Sequence, residues 1–157
     1  MSSTPPTLAP PSLPQVNLVA RDVPRSVAFY RLLGVSFEAP RGEEWTEWAR
    51  HHVNGLTPNG VRLELDSVPF AKQWNPKLDE TKLGSATMLM FHVSSREEVD
   101  KVHARVTAAG HGSHKAPEDA FWGARYALVE DPDGNSVGIM SEVDDSQRRD
   151  PGPPPRP

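Results

Sequence analysis

Residues 22–34 read DVPRSVAFYRLLG, and the rest of the chain is best read outward from them. Asp22 is a residue that caps helices, Pro24 suits a first turn, and Gly34 suits a helix end. Val23, Val27, Tyr30 and Leu33 recur at helical spacing and make a buried stripe. Ahead of this helix, residues 16–20 (VNLVA) form a β-like run. The same plan returns later. Residues 87–93 (TMLMFHV) precede Ser95-x-x-Glu98, a capping box, and a helix bearing Val99, Val102 and Val106 that ends before Gly110. After the first helix come the strand-like stretches VSFEA, EWTEWARHHV and VRLELDSV. After the second come residues 111–114, ARYALVE and NSVGIM. Each half therefore reads βαβββ, over about residues 15–66 and 87–141. Pro132-Asp133-Gly134 is a turn that sets the last two strands in a hairpin. The expected fold class is α+β.

The 157 residues are 36% hydrophobic and 24% charged with a net charge of -4, so the chain has no basic excess for nucleic acid. Cysteine is absent, which excludes disulfides and thiolate chemistry and fits a reducing, cytoplasmic setting. No basic-then-apolar leader opens the sequence, and no apolar run is long enough to span a membrane. Both ends are rich in proline. Residues 1–14 and 143–157 are read as disordered tails flanking one domain at 15–142.

Two βαβββ modules with DVPRSVAFYRLLG in the first and DPDGN (131–135) in the second resemble the vicinal oxygen chelate superfamily: glyoxalase I, extradiol dioxygenases and bleomycin-resistance proteins. The resemblance covers about residues 15–140. It implies two cupped mixed sheets with the helices outside, a site inside the cup, and a homodimer.

Metal-using members of that superfamily draw one ligand from each of four strands. The resemblance puts those positions at Gln15, Glu64, Met88 and Gly138. Hard and borderline divalent cations want nitrogen or oxygen donors, so Glu64 fits, Gln15 is ambiguous, and Met88 and Gly138 do not fit. His92 shares a face with Met88 but lies about 13 Å further along the strand, too far to replace it. Glutathione-using members carry a basic residue where this chain has Val19. No cofactor is therefore expected, a divalent metal being the alternative.

Strand alternation separates Leu63 and Leu65 from Arg62, Glu64 and Asp66. Carried through, it lines the cup with Gln15, Asn17, Arg62, Glu64, Met88, Met90, His92, Gly138 and Met140. Methionines accept irregular apolar or aromatic ligands, or simply fill a closed core. Trp45, Trp48 and Trp122 are candidate stacking residues at the mouth, as in drug-binding members of the superfamily. Arg125 is a candidate for a ligand carboxylate, with a surface salt bridge as its other role. His51 and His52 are neighbours in a strand, face opposite ways and cannot share a metal. Glu64 is the catalytic candidate, a carboxylate placed to act as a general base.

Two functions follow. One is a metal-independent protein of the bleomycin-resistance kind that sequesters a small, partly aromatic antibiotic or metabolite. The other is a metal-dependent lyase or dioxygenase with Glu64 as ligand or base.

Overall fold

The computed structural model describes residues 11–42, 44–84 and 86–153. Of the expected tails at 1–14 and 143–157, residues 1–10 and 154–157 lie outside the described residues. In chain order the elements are β1 (Gln15–Ala20), α1 (Val23–Leu32), β2 (Ser36–Phe37), β3 (His52–Val53), β4 (Gly55–Leu56), β5 (Arg62–Ser67), α2 (Val68–Trp74), β6 (Met88–Val93), α3 (Arg96–Ala108), β7 (Ser113–Asp119), β8 (Arg125–Glu130) and β9 (Ser136–Ser141). The expected α+β class holds, with two mixed sheets. The first runs β1-β5-β4-β2 with β3 also on β5, and the second runs β6-β9-β8-β7. In each, the opening strand pairs in parallel with the closing one, β1 with β5 and β6 with β9, while the remaining pairs are antiparallel. The internal repeat read from the sequence is thus a repeat of topology.

Local chemistry sets the helix ends. Asp22 accepts the Arg25 amide at 3.1 Å, and the chain leaves α1 through Gly34 at φ +87°. Ser95 accepts the Glu98 amide at 3.2 Å to start α3. The expected strand EWTEWARHHV is mostly something else. Thr46 Oγ1 accepts the Ala49 amide, a 3₁₀ turn follows at Trp48–Arg50, and only His52–Val53 is extended. A side-chain hydroxyl that bonds its own backbone offers a local alternative to the sheet. Likewise VRLELDSV stops being a strand at Ser67, whose hydroxyl caps Phe70 N at 3.2 Å. With Pro69 in the first turn, this begins α2, a helix absent from the sequence reading.

The core is shared between the halves. Val27, Phe29 and Tyr30 of α1 and Val99, Val102 and Val106 of α3 join Leu63 and Leu65 of β5, Ala127 and Val129 of β8, and Val137 and Ile139 of β9 in one buried cluster. Each sheet therefore turns one face to this core and the other away from it.

Polar chemistry also joins the halves. The Asp131 carboxylate accepts the Tyr30 hydroxyl at 2.7 Å, the Asp133 and Asn135 amides at 2.9 and 2.8 Å, and the Asn135 side chain at 2.8 Å. Asp133 accepts the Arg21 amide at 2.9 Å and the Ser26 hydroxyl at 3.1 Å. Burial, and then the Asp131 charge, push the Tyr30 phenol well above its ordinary range, so it stays a donor.

The segment after β9 is not a free tail as far as Arg149. Asp144 N bonds Gly123 O at 3.0 Å, Arg149 N bonds Phe121 O at 2.8 Å, and a 3₁₀ turn lies between at Asp145–Gln147. The proline-rich composition hid this docking because backbone groups, not apolar side chains, make it. No helix among the described residues is long and apolar enough to cross a membrane.

Tyr30→Phe should lower unfolding free energy by about 1–3 kcal/mol in urea titration, the cost of leaving a buried carboxylate short of a donor. Asp131→Ala should cost more, because it strands the Asn135 and Asp133 donors as well. His111 packs edge-on against Phe29 at 4.8 Å, and desolvation, then Arg25, lower its pKa. Its neutral form is favoured in the fold, so its contribution is present above about pH 6.5 and is lost as pH falls below that. His111→Gln should flatten that part of a stability-against-pH profile.

Candidate functional site

On the first sheet, register brings polar side chains together on the face turned from the core. Asn17 lies opposite Glu64, Val19 opposite Asp66, and His52 opposite Asp66 from the other side. Glu64 Oε2 accepts from Gln15 Nε2 at 3.0 Å and from Asn17 Nδ2 at 3.3 Å. Asp66 Oδ2 accepts from Asn17 Nδ2 at 3.0 Å, and Asp66 Oδ1 lies 2.6 Å from His52 Nδ1. The chain continues from His52 Nε2 to Asn54 Oδ1 at 3.1 Å and from Asn54 Nδ2 to Glu38 Oε2 at 3.3 Å. Glu64 and Asp66 are only 8 and 6% exposed although they belong to the outer face. The amides, His52 and neighbouring rings cover them. Beside His52 stand Phe70, 5.5 Å away between ring centres, Trp48, and Trp74 at 5.5 Å from Phe70. At the β2–β4 side the face opens into a depression of about 480 Å³ lined by Phe37, Glu38, Asn54, Leu56, Arg62 and Glu64, among others.

The outer face of the second sheet has another character. Met90 pairs with Gly138 and His92 with Met140, and Tyr126 follows beside Met140. Trp122 donates its indole N–H to Met140 Sδ at 3.4 Å and meets Tyr126 edge-on at 5.5 Å, with Phe121 at 5.0 Å on its far side. Met88 and Met90 remain 54 and 42% exposed, so here the methionines form a surface and not a closed core.

The structure thus divides the expected cup lining. Gln15, Asn17, Arg62 and Glu64 are on one sheet, and Met88, Met90, His92, Gly138 and Met140 on the other. Among the described residues no hydrogen bond or ring contact joins the two sets. Two expected contact residues are placed elsewhere. Arg125 points to the helix side, where it bonds Asp100 and Asp119 at 2.8 and 2.9 Å, and those bonds raise its pKa and keep it occupied. Trp45 packs against the core and donates to Gly42 O at 3.0 Å. Trp48 is exposed and flanks His52, and Trp122 lies among the methionines.

The positions of a four-ligand metal site can be compared between sheets. Gln15 pairs with Arg62 and Met88 with Ser136, so Glu64 and Gly138 each lie two residues beyond and are equivalent. The first pair offers an amide and a carboxylate. The second offers a thioether and nothing, and the place over Gly138 is filled: a Cβ there would lie 2.6 Å from Met90 Sδ. This donor set does not fit a hard or borderline divalent cation. Among the described residues no three His, Asp or Glu side chains are grouped to hold one.

Sequence reasoning missed the place of His52, Asp66, Phe70 and Trp74 in this cluster. Alternation had already put Asp66 on the face of Glu64, but His52 joins it only through the antiparallel β3–β5 pairing, which spacing does not announce.

Residues 12–139 match the family model of the glyoxalase/bleomycin resistance protein/dioxygenase superfamily. No curated protein matches the sequence. Among solved structures, the chain is similar to a glyoxalase/bleomycin resistance protein/dioxygenase from Nocardioides, with 24% identity over 95% of this chain and 93% of that one and a TM-score of 0.67. It is also similar to a glyoxalase-related enzyme from Fulvimarina pelagi, with 20% identity over 83% and 88% of the chains and a TM-score of 0.68. A family enzyme from Burkholderia phytofirmans is 24% identical over 83% and 98%, with a TM-score of 0.66. At these identities the likeness is one of fold.

His52→Ala should lower unfolding free energy by about 1–3 kcal/mol, because it leaves the buried Asp66 with Asn17 as its remaining partner. Urea titration of the variant beside the parent checks this, and an unchanged midpoint would mean the pair is solvated.

Proposed function

The chain belongs to the glyoxalase/bleomycin resistance protein/dioxygenase superfamily, and we propose that it is a binding protein of that superfamily, one that holds a small, partly aromatic molecule without a metal. An antibiotic or a metabolite is the class of molecule, and sequestration, as in bleomycin resistance, is the task. The observation that carries this reading is the outer face of the second sheet. Where a metal enzyme needs donors, this face has Met88, a glycine covered by Met90, and Met140 capped by Trp122. Thioethers and aromatic edges attract flat, polarizable rings by dispersion and stacking and adapt to irregular outlines. The polar face of the first sheet supplies the directional half of such a site, since a few placed polar groups fix a ligand's orientation.

Homodimerisation belongs to the same proposal. Met88, Met90 and Phe121 are 54, 42 and 46% exposed, and β1 and β6 each end a sheet with one side unpaired. A second copy would cover that apolar surface and enclose the ligand between a polar and an apolar face. A cytoplasmic location is proposed with it, on the absence of cysteine.

Antibiotics that carry a flat ring system, such as bleomycin and mitomycin, should quench the tryptophan fluorescence of the purified protein saturably, with one site per chain. Trp122→Ala should weaken that binding by roughly 2–10-fold, as loss of one stacking partner implies. Unsaturable quenching, or equal affinity in the variant, would remove the second-sheet face from the site.

A further inference from the structure

Three charged side chains, Glu38, Arg62 and Glu64, line the depression on the first sheet, and among the described residues none of them has a charged partner. Glu64 is more than nine-tenths buried, and both donors that reach it, Gln15 and Asn17, bond the same oxygen, Oε2. Among the described residues no donor reaches its Oε1. A carboxylate oxygen only accepts, so its complement is an N–H or O–H brought from outside, and a charged ammonium makes the strongest such bond. Arg62 lines the same depression two residues earlier on the same strand face, about 7 Å away along β5. Among the described residues no hydrogen bond or ion pair engages its guanidinium, and it does not pair with Glu64. Glu38 adds a second carboxylate to the lining. Phe37 and Leu56, the latter 48% exposed, supply apolar wall beside them.

A pocket that presents an acceptor, a fork of donors and an apolar wall complements a molecule with the reverse arrangement. We propose that the first-sheet depression takes a small zwitterion of the amino-acid type. Its ammonium group bonds Glu64 Oε1, its carboxylate bonds Arg62, and its apolar or aromatic body lies against Phe37 and Leu56. This rests on the binding-protein reading and names the chemistry of the ligand's polar end. The amides of Gln15 and Asn17 are positioning residues here, because both bond Oε2 of the Glu64 carboxyl and leave Oε1 unengaged.

The test uses three probes that share a phenylethyl skeleton and carry both charged groups, the ammonium alone or the carboxylate alone: phenylalanine, phenethylamine and 3-phenylpropionate, titrated calorimetrically into the full chain. Phenylalanine should bind about tenfold or more tighter than either singly charged probe. Glu64→Gln should weaken phenylalanine and phenethylamine but leave 3-phenylpropionate unchanged. Arg62→Met should weaken phenylalanine and 3-phenylpropionate and leave phenethylamine unchanged. The comparison of probes on the unaltered protein does not depend on either variant folding. Equal affinities for the three probes, no binding of any to millimolar concentration, or indifference to both substitutions overturns the proposal. If antibiotics with a flat ring system still quench tryptophan in that case, the binding-protein reading survives and only the zwitterion chemistry is lost.

Discussion

The hydrogen bond from the Tyr30 hydroxyl to the Asp131 carboxylate, 2.7 Å long and wholly buried, is the constraint on which the arrangement of the two halves depends. Tyr30 belongs to the first helix and Asp131 to the last hairpin turn, 101 residues later. Asp133, from the same turn, holds Ser26 and the backbone before α1. A buried carboxylate is tolerated only where donors surround it, and this one has a phenol, two amides and an asparagine. The hairpin geometry therefore fixes where α1 lies, and α1 in turn packs the core that both sheets share. With those helix-side faces committed, the chemistry of the molecule is left to the two outer faces.

Much of this was legible in the residues. The caps at Asp22 and Ser95, the glycines that end the helices and the DPDGN turn each encode their geometry locally, so both helices and the final hairpin could be read directly. The alternation of VRLELD likewise separated the buried leucines from Glu64. What failed was of two kinds. Short-range hydroxyl bonds at Thr46 and Ser67 replaced extended chain with turns, an outcome decided by a single hydrogen bond against a strand pattern. Long-range partners were the other kind. That Arg125 would be held by Asp100 and Asp119, or that His52 would meet Asp66, depends on which strands and helices become neighbours, and no spacing along the chain states it.

The two outer faces differ because equivalent positions of the repeated topology carry different side chains. At equivalent positions the first sheet keeps amide and carboxylate, and the second carries thioether and glycine. A metal bound at such a place needs both sheets to contribute charge or lone pairs of matching hardness. Here one side offers directional hydrogen bonding and the other soft, polarizable contact. That combination suits recognition of an amphipathic organic molecule, polar at one end and flat at the other. The aromatic pairs Trp48 with Phe70 and Trp122 with Tyr126 stand on these outer faces, while Phe29 and Tyr30 belong to the core.

The proposed binding needs no metal. The most direct test of this is calorimetric titration of chelator-treated protein with zinc, nickel, cobalt, manganese and iron(II) in turn. No stoichiometric, saturable heat is expected with any of them. A tight site of one ion per chain that disappears in Glu64→Gln would contradict that expectation and return the protein to the metal-dependent enzymes of its superfamily.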